Sequence, residues 1–196
     1  MTMIGCRPLN HEEKQRLLVV ASHNKRNQLL VMLGLASGFR ISEMLSLRVK
    51  DLMAPDGSIL DRITLKAANT KTGKGRVQIL HTKVKTAVKE WTDHLINKGF
   101  DFESAIFIGR QSNKGTKPIT RQRAWQILKD LFVKAGIYGQ TGTHTLRKTF
   151  AKEMKMRLGD IQKVADALGH KSITSTICYL SFDHTEVDNA ILAMEL

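Results

Sequence analysis

Cysteine is nearly missing: Cys6 and Cys178 are the only two in 196 residues. They stand too far apart, in too unlike surroundings, to form a zinc site or a redox pair. They read as free thiols in a reducing cytoplasm. Long apolar runs are missing too. The longest, from Leu29 to Phe39, is broken by Gly34, Ser37 and Gly38 and falls well short of the ~20 residues of a membrane span. No signal peptide opens the chain, and there is no internal repeat or low-complexity segment. Acidic residues are scarce: 18 Asp and Glu against 31 Lys and Arg give a formal net charge of +13 and a pI near 10. An excess of this size on a small chain points to a polyanionic partner, nucleic acid ahead of an anionic membrane. Hydrophobic content of 42% and charged content of 25% are ordinary and argue against disorder. The length suits one large domain or two small ones.

Helix signals dominate. Asn10 and Glu13 have the spacing of a capping box, starting a helix that runs to about Ser22. A second helix begins near Lys25, is apolar nearly all round and therefore central, and ends at Gly38. Arg40 opens a short helix with apolar positions Ile41, Met44, Leu45 and Leu47. The pattern then changes to strands at Ser58–Leu60, Ile63–Leu65 and Arg76–Leu80, with a Gly-rich basic hairpin turn from Asn69 to Gly75. Thr82 is the expected cap of a helix carrying Val84, Ala87, Val88, Trp91, Leu95 and Ile96. Ala105–Ile108 reads as a short buried strand or extended segment, followed by a basic loop from Gly109 to Lys117. Thr120 caps the next helix, on which Trp125 is assigned to the core ahead of a DNA-facing position. Thr143 is expected to cap the helix that begins with His144. A final amphipathic segment runs through Val187, Ala190, Ile191, Leu192, Met194 and Leu196.

The chemistry concentrates between Gly142 and Leu180. His144 and Arg147, at i and i+3, share one face of a helix. The apolar periodicity of Ile161, Val164, Ala165 and Leu168 ends at Gly169, a natural helix C-cap, which leaves His170 at a helix mouth. Tyr179 follows nine residues later. A guanidinium fork fits a phosphate in bidentate fashion, imidazoles donate or move protons, and a phenol can act as a covalent nucleophile. Elsewhere, Arg40 has Glu43 at i+3, a pair that alone would be a plain surface ion pair. Lys71 and Lys74 lie in the hairpin turn, which alone would be a solvated loop.

Taken together, His144-x-x-Arg147, Leu168-Gly169-His170 and Tyr179, with Gly38-Phe39-Arg40-x-x-Glu43 ahead of them and Lys71-Thr72-Gly73 between, resemble the tyrosine recombinase (phage integrase) catalytic domain. The match runs from about Leu9 to Tyr179. The resemblance implies an α+β, mainly helical fold with a small antiparallel sheet or hairpin. The chain departs from most of that family, which carry a separate helical domain ahead of the catalytic one: 1–196 is expected to be a single catalytic domain without a separate N-terminal core-binding domain, either an excised domain or one of the short, single-domain recombinases. It implies site-specific cutting and rejoining of DNA through a 3′-phosphotyrosyl intermediate. The catalytic set is Arg40, Lys71, His144, Arg147, His170 and Tyr179, with Glu43 in support and Lys74 as the alternative to Lys71. No metal or other cofactor is implied. Lys74, Arg76, Arg121, Arg123 and Lys148 are the expected DNA contacts.

The implied partners are double-stranded DNA with specific recombination sites, further copies of the chain in a tetrameric synapse, and accessory DNA-bending proteins, with no membrane. The C-terminal tail docks either on its own domain or on a neighbouring protomer. A cytoplasmic, nucleoid-associated place in a bacterial or phage setting follows. Two other readings share these residues: a type IB topoisomerase-like relaxing activity, and a catalytically idle DNA-binding accessory protein.

Overall fold

A computed structural model describes residues 5–67, 75–109, 117–180 and 192–194, apart from the side chains of 178 and 179. Lys71, Lys74, the phenol of Tyr179 and most of the C-terminal tail lie outside the described residues. The chain is mainly helical with one small antiparallel sheet, as the sequence led us to expect.

The helices α1 (His11–Ser22) and α2 (Lys25–Ser37) form a hairpin. The Asn10 side chain accepts from the Glu13 N–H while the Glu13 carboxylate accepts from the Asn10 N–H, the reciprocal cap that the spacing predicts. Leu29, Leu30, Val31 and Leu33 are buried on α2, which packs against α1, α4 (Thr82–Asn97) and α6 (Thr143–Leu158). That central place accounts for a helix apolar nearly all round. Gly38 closes α2 at φ 61°, and a Cβ there would stand 2.4 Å from Cδ1 of Phe150 on α6. Both the left-handed backbone and the close approach require glycine at this point.

Strand β1 (Arg62–Leu65) pairs with β2 (Arg76–Ile79) in antiparallel register, Arg62 opposite Ile79 and Leu65 opposite Arg76. The alternation in β1 is clean, with Ile63 and Leu65 facing the core. The expected strand at Ser58–Leu60 is reduced to a single bridge, Ile59 to Met53. Ala105–Ile108 is buried and bends between two isolated bridges, Ala105 to Arg48 and Ile108 to Pro118, and the Trp91 indole N–H donates to the Ile106 carbonyl at 2.7 Å.

Two helix starts fall one residue ahead of the expected threonine. His81, not Thr82, caps α4, its Nδ1 accepting from the Lys83 N–H at 3.1 Å. Gly142, not Thr143, is the N-cap of α6, and the buried Thr145 hydroxyl accepts from the Gly142 N–H. Thr120 does cap α5 (Arg121–Lys134). Trp125, assigned to the core, is 43% exposed. The buried stripe of α5 is Ala124, Ile127, Leu128, Leu131 and Phe132, and Trp125 stands roughly 100° around the helix from Ala124. Its ring instead receives the Lys129 ammonium, 5.1 Å from the centroid.

Among the described residues the apolar core has two parts. The larger is built from α1, α2, Ile41–Leu45, α4, α5, the sheet and Leu146. The smaller gathers Phe150, Ala151, Val164 and Leu168, joining α6 to α7 (Ile161–Leu168), with Leu180 of α8 (Ile173–Leu180) packed against it. Arg147 falls between Leu146 of the first cluster and Phe150 of the second, and the candidate site lies at that seam.

Candidate active site

The site is organised by one carboxylate. Glu43, on α3 (Ile41–Leu45), is 2% exposed. Its Oε2 accepts from the backbone N–H of Arg40 at 2.7 Å and its Oε1 from Arg40 Nη1 at 2.8 Å. The same turn of chain therefore caps its own helix and orients its own guanidinium. The sequence alone favours a surface ion pair here; burial makes it a structural one. Two further guanidiniums converge on Glu43 Oε2: Arg76 Nη2 at 3.5 Å and Arg147 Nη1 at 3.8 Å. Among the described residues, three guanidiniums face this one carboxylate. Guanidinium groups suit a phosphate, whose oxygens accept in bidentate fashion.

Arg147 is 1% exposed. Its Nη1 donates to the Gly38 carbonyl and its Nη2 to the Leu168 carbonyl, the latter at 2.8 Å. One side chain thus reaches the end of α2 and the end of α7. Gly169 closes α7 in the left-handed conformation, as its place after the apolar repeat predicts, and His170 follows. His170 Nδ1 lies 2.7 Å from the buried hydroxyl of Thr176 on α8. Sequence reasoning missed Thr176; a threonine six residues past the Leu-Gly-His turn was its only trace.

His144 stands in the first turn of α6, exposed, one turn ahead of Arg147. Partial desolvation, then Arg147 and Arg40, hold its pKa below the usual value, with Lys148 and Arg121 adding to the effect. His170 is shifted further, down to about 4. Burial is the main cause, followed by Arg147, Arg40 and Arg76, with Glu43 opposing. Both imidazoles are therefore neutral near pH 7.

This arrangement has a signature in stability. Between the ordinary value of 6.5 and about 4, the unfolded chain takes up a proton at His170 that the folded chain refuses. Stability must fall as pH drops through that window. We expect the urea midpoint to decline from pH 7 to pH 4.5, and His170→Gln to flatten part of that decline. An identical decline in the variant would show that His170 is not the group responsible.

Tyr179 is on α8, the helix that Thr176 links to His170; its side chain lies outside the described residues, as do Lys71 and Lys74. Arg40, Glu43, Arg147 and His170 are brought together, with His144 one turn from Arg147. Of the expected DNA contacts, Arg121 and Arg123 are exposed at the start of α5. Lys148 and Arg76 are not surface cations. Lys148 is 6% exposed, with its Nζ beside Gly5, and burial lowers its pKa. One residue past Arg147, it points roughly 100° away from that face of α6. Arg76 is enclosed between Glu43 and the Phe39 ring.

Residues 7–186 match the model of the phage integrase family. The type 1 fimbriae regulatory protein FimE of Escherichia coli K12 is 35% identical over 155 residues, 79% of this chain and 73% of that protein. The crystal structure of XerA recombinase superposes with a TM-score of 0.79 at 21% identity, covering 100% of this chain and 66% of that one. The structure of XerH site-specific recombinase bound to palindromic difH, a post-cleavage complex, superposes with a TM-score of 0.74 at 23% identity, covering 95% of this chain and 53% of that one. The chain thus spans about two thirds of XerA and about half of XerH.

Proposed function

The chain belongs to the phage integrase family, the tyrosine recombinases that cut and rejoin DNA, and from that premise we propose that Tyr179 attacks a DNA phosphate held by Arg40, Arg147 and His170. The observation that carries this reading is the cluster around Glu43. Its guanidiniums are held in place before substrate arrives, and a phosphodiester passing to a pentacoordinate transition state gains negative charge on its non-bridging oxygens.

The proposed step balances as follows. A bond forms from the Tyr179 oxygen to phosphorus, and the bond from phosphorus to the 5′-oxygen breaks. The phenol, with an ordinary pKa near 10, gives its proton to His144. The depressed pKa of His144 keeps it in the base form at neutral pH. Lys71 supplies a proton to the departing 5′-oxygen. The product is a 3′-phosphotyrosyl linkage and a free 5′-hydroxyl. The phosphoester energy is retained, so the hydroxyl of another strand can reverse the step.

The proposed substrate is duplex DNA carrying a recombination site, engaged by several copies of the chain as a tetrameric synapse, with accessory DNA-bending proteins assisting. The palindromic substrate of XerH supports a symmetric arrangement of protomers. Arg121 and Arg123, exposed in the first turn of α5, are proposed phosphate contacts.

The test begins with capture. The protein is incubated with genomic DNA of its source organism, denatured with detergent, and the DNA left covalently attached is sequenced. A duplex built on the enriched junction is then offered in two copies, and as a single copy in a supercoiled plasmid. Exchange of strands between the two copies is the expected result. Relaxation of the single plasmid without exchange would instead establish a topoisomerase, and no covalent DNA at all would overturn the catalytic reading.

A further inference from the structure

The setting of Arg76 does not suit a cation that meets solvent or DNA. Its side chain is 11% exposed. Nη1 donates to the carbonyl of Ala167, in the last turn of α7, at 2.7 Å. The guanidinium lies over the Phe39 ring, with Cζ 4.7 Å from the centroid. Nη2 is buried and makes no hydrogen bond, with Glu43 Oε2 3.5 Å away. A Cβ on Gly169 would stand 3.3 Å from Arg76 Cδ, so the aliphatic stem lies directly against the turn before His170.

These contacts share a pattern. Phe39 immediately precedes Arg40. Glu43 orients Arg40. Ala167 and Gly169 form the helix end that presents His170. One side chain from β2 therefore touches the support of two phosphate ligands that lie far apart in sequence. Stability alone accounts poorly for such a residue. Burial lowers the pKa of Arg76 against the opposing pull of Glu43, and replacing a buried ionic group by an apolar one of similar volume is often neutral or stabilising. A buried donor without a hydrogen bond adds a further cost.

We propose that Arg76 is a positioning residue of the strand-cutting reaction, tying β2, the start of α3 and the end of α7 into one frame so that Arg40 and His170 meet the same phosphate at fixed spacing. The proposal rests on the reading of Arg40 and His170 given above. Arg76 itself does not touch DNA, which separates it from Arg121 and Arg123. Its geometry also sets it apart from lysine. A single ammonium cannot bond the Ala167 carbonyl, lie flat on Phe39 and approach Glu43 at once.

The test uses the captured duplex, nicked near the cleaved position so that the covalent product accumulates. Arg76→Gln and Arg76→Lys are compared with wild type at a temperature where circular dichroism shows each folded. Affinity for the duplex is measured in the Tyr179→Phe background. For Arg76→Gln we expect the single-turnover rate of adduct formation to fall about 100-fold, the scale of a misplacement near 1 Å. Affinity should change by less than about threefold, well under the tenfold step of 1.4 kcal/mol. The imidazole 15N resonances of His170 should move as well. Arg76→Lys, which keeps the charge, should recover only part of the rate. A folded Arg76→Gln that forms adduct at the wild-type rate overturns the proposal. So does a loss of rate matched by an equal loss of affinity, which would make Arg76 a DNA contact. If the glutamine variant does not fold, the lysine variant decides: a slower rate at held affinity supports the proposal, and a wild-type rate overturns it. Absence of adduct with wild type would count against the catalytic reading, not against Arg76 in particular.

Discussion

Tyr179→Phe is expected to bind the captured duplex with wild-type affinity and to form no covalent adduct with it. The substitution removes one oxygen and keeps the ring. If that oxygen is the nucleophile, no neighbouring group can replace it, and the rate of adduct formation should fall by several orders of magnitude, the usual result of deleting a nucleophile. The position supports this role. Tyr179 sits on α8, three residues beyond Thr176, and Thr176 is bonded to His170. A nicked duplex that still traps the variant would show that another residue attacks.

The second large effect separates charge stabilisation from proton donation. Arg147→Ala should slow cleavage by roughly 10²-fold or more on ordinary DNA, the scale seen when one donor to a developing oxyanion is removed. It should be equally slow on a substrate with sulfur in the 5′-bridging position, because non-bridging charge develops in both. Lys71→Ala should be severely slow on ordinary DNA and largely rescued by the sulfur. A thiol has a pKa near 8.5, and an alcohol lies several units higher, so the thiolate leaves without help. If Lys71→Ala stays equally slow on both substrates, Lys71 is not the acid, and Lys74 is tested the same way. Arg147→Ala also strands the Gly38 and Leu168 carbonyls in the interior, at about 1–3 kcal/mol for each unsatisfied group. Its rates are therefore to be measured below a melting temperature determined for the variant.

The parts of this molecule that could be read from its sequence are those governed by local rules. Asn10 with Glu13, and Thr120, announce helix starts because a cap needs only a side chain and a backbone N–H three residues on. Gly38 and Gly169 announce helix ends because the left-handed turn excludes most other residues. The i and i+3 spacing gave the Arg40–Glu43 pair and the shared face of His144 and Arg147. The misreadings have equally definite causes. At His81 an imidazole took the capping role that a neighbouring threonine seemed to hold. At Gly142 the cap was made by the backbone and the hydroxyl of Thr145. Trp125 was placed inside by residue type, although its angle on α5 put it outside. Arg76 and Lys148, expected as DNA contacts because they are basic, are buried cations. Their burial is set by packing between elements far apart in the chain, which leaves no periodic trace.

The anchors of the buried guanidiniums have a consequence for how freely this chain can vary. Arg147 is fixed by the oxygens of Gly38 and Leu168, and Arg76 by that of Ala167. These acceptors are main-chain atoms, present whatever side chain stands at the position. A substitution at 167 or 168 can alter how well the small apolar cluster packs, but it cannot delete the oxygen. The cluster's placement is thereby insulated from drift at two of its own supports. Gly38 is the exception, since its oxygen is aimed by a backbone conformation that few other residues adopt. Tolerance to replacement should accordingly be broad at 167, limited to apolar residues at 168, and narrow at 38.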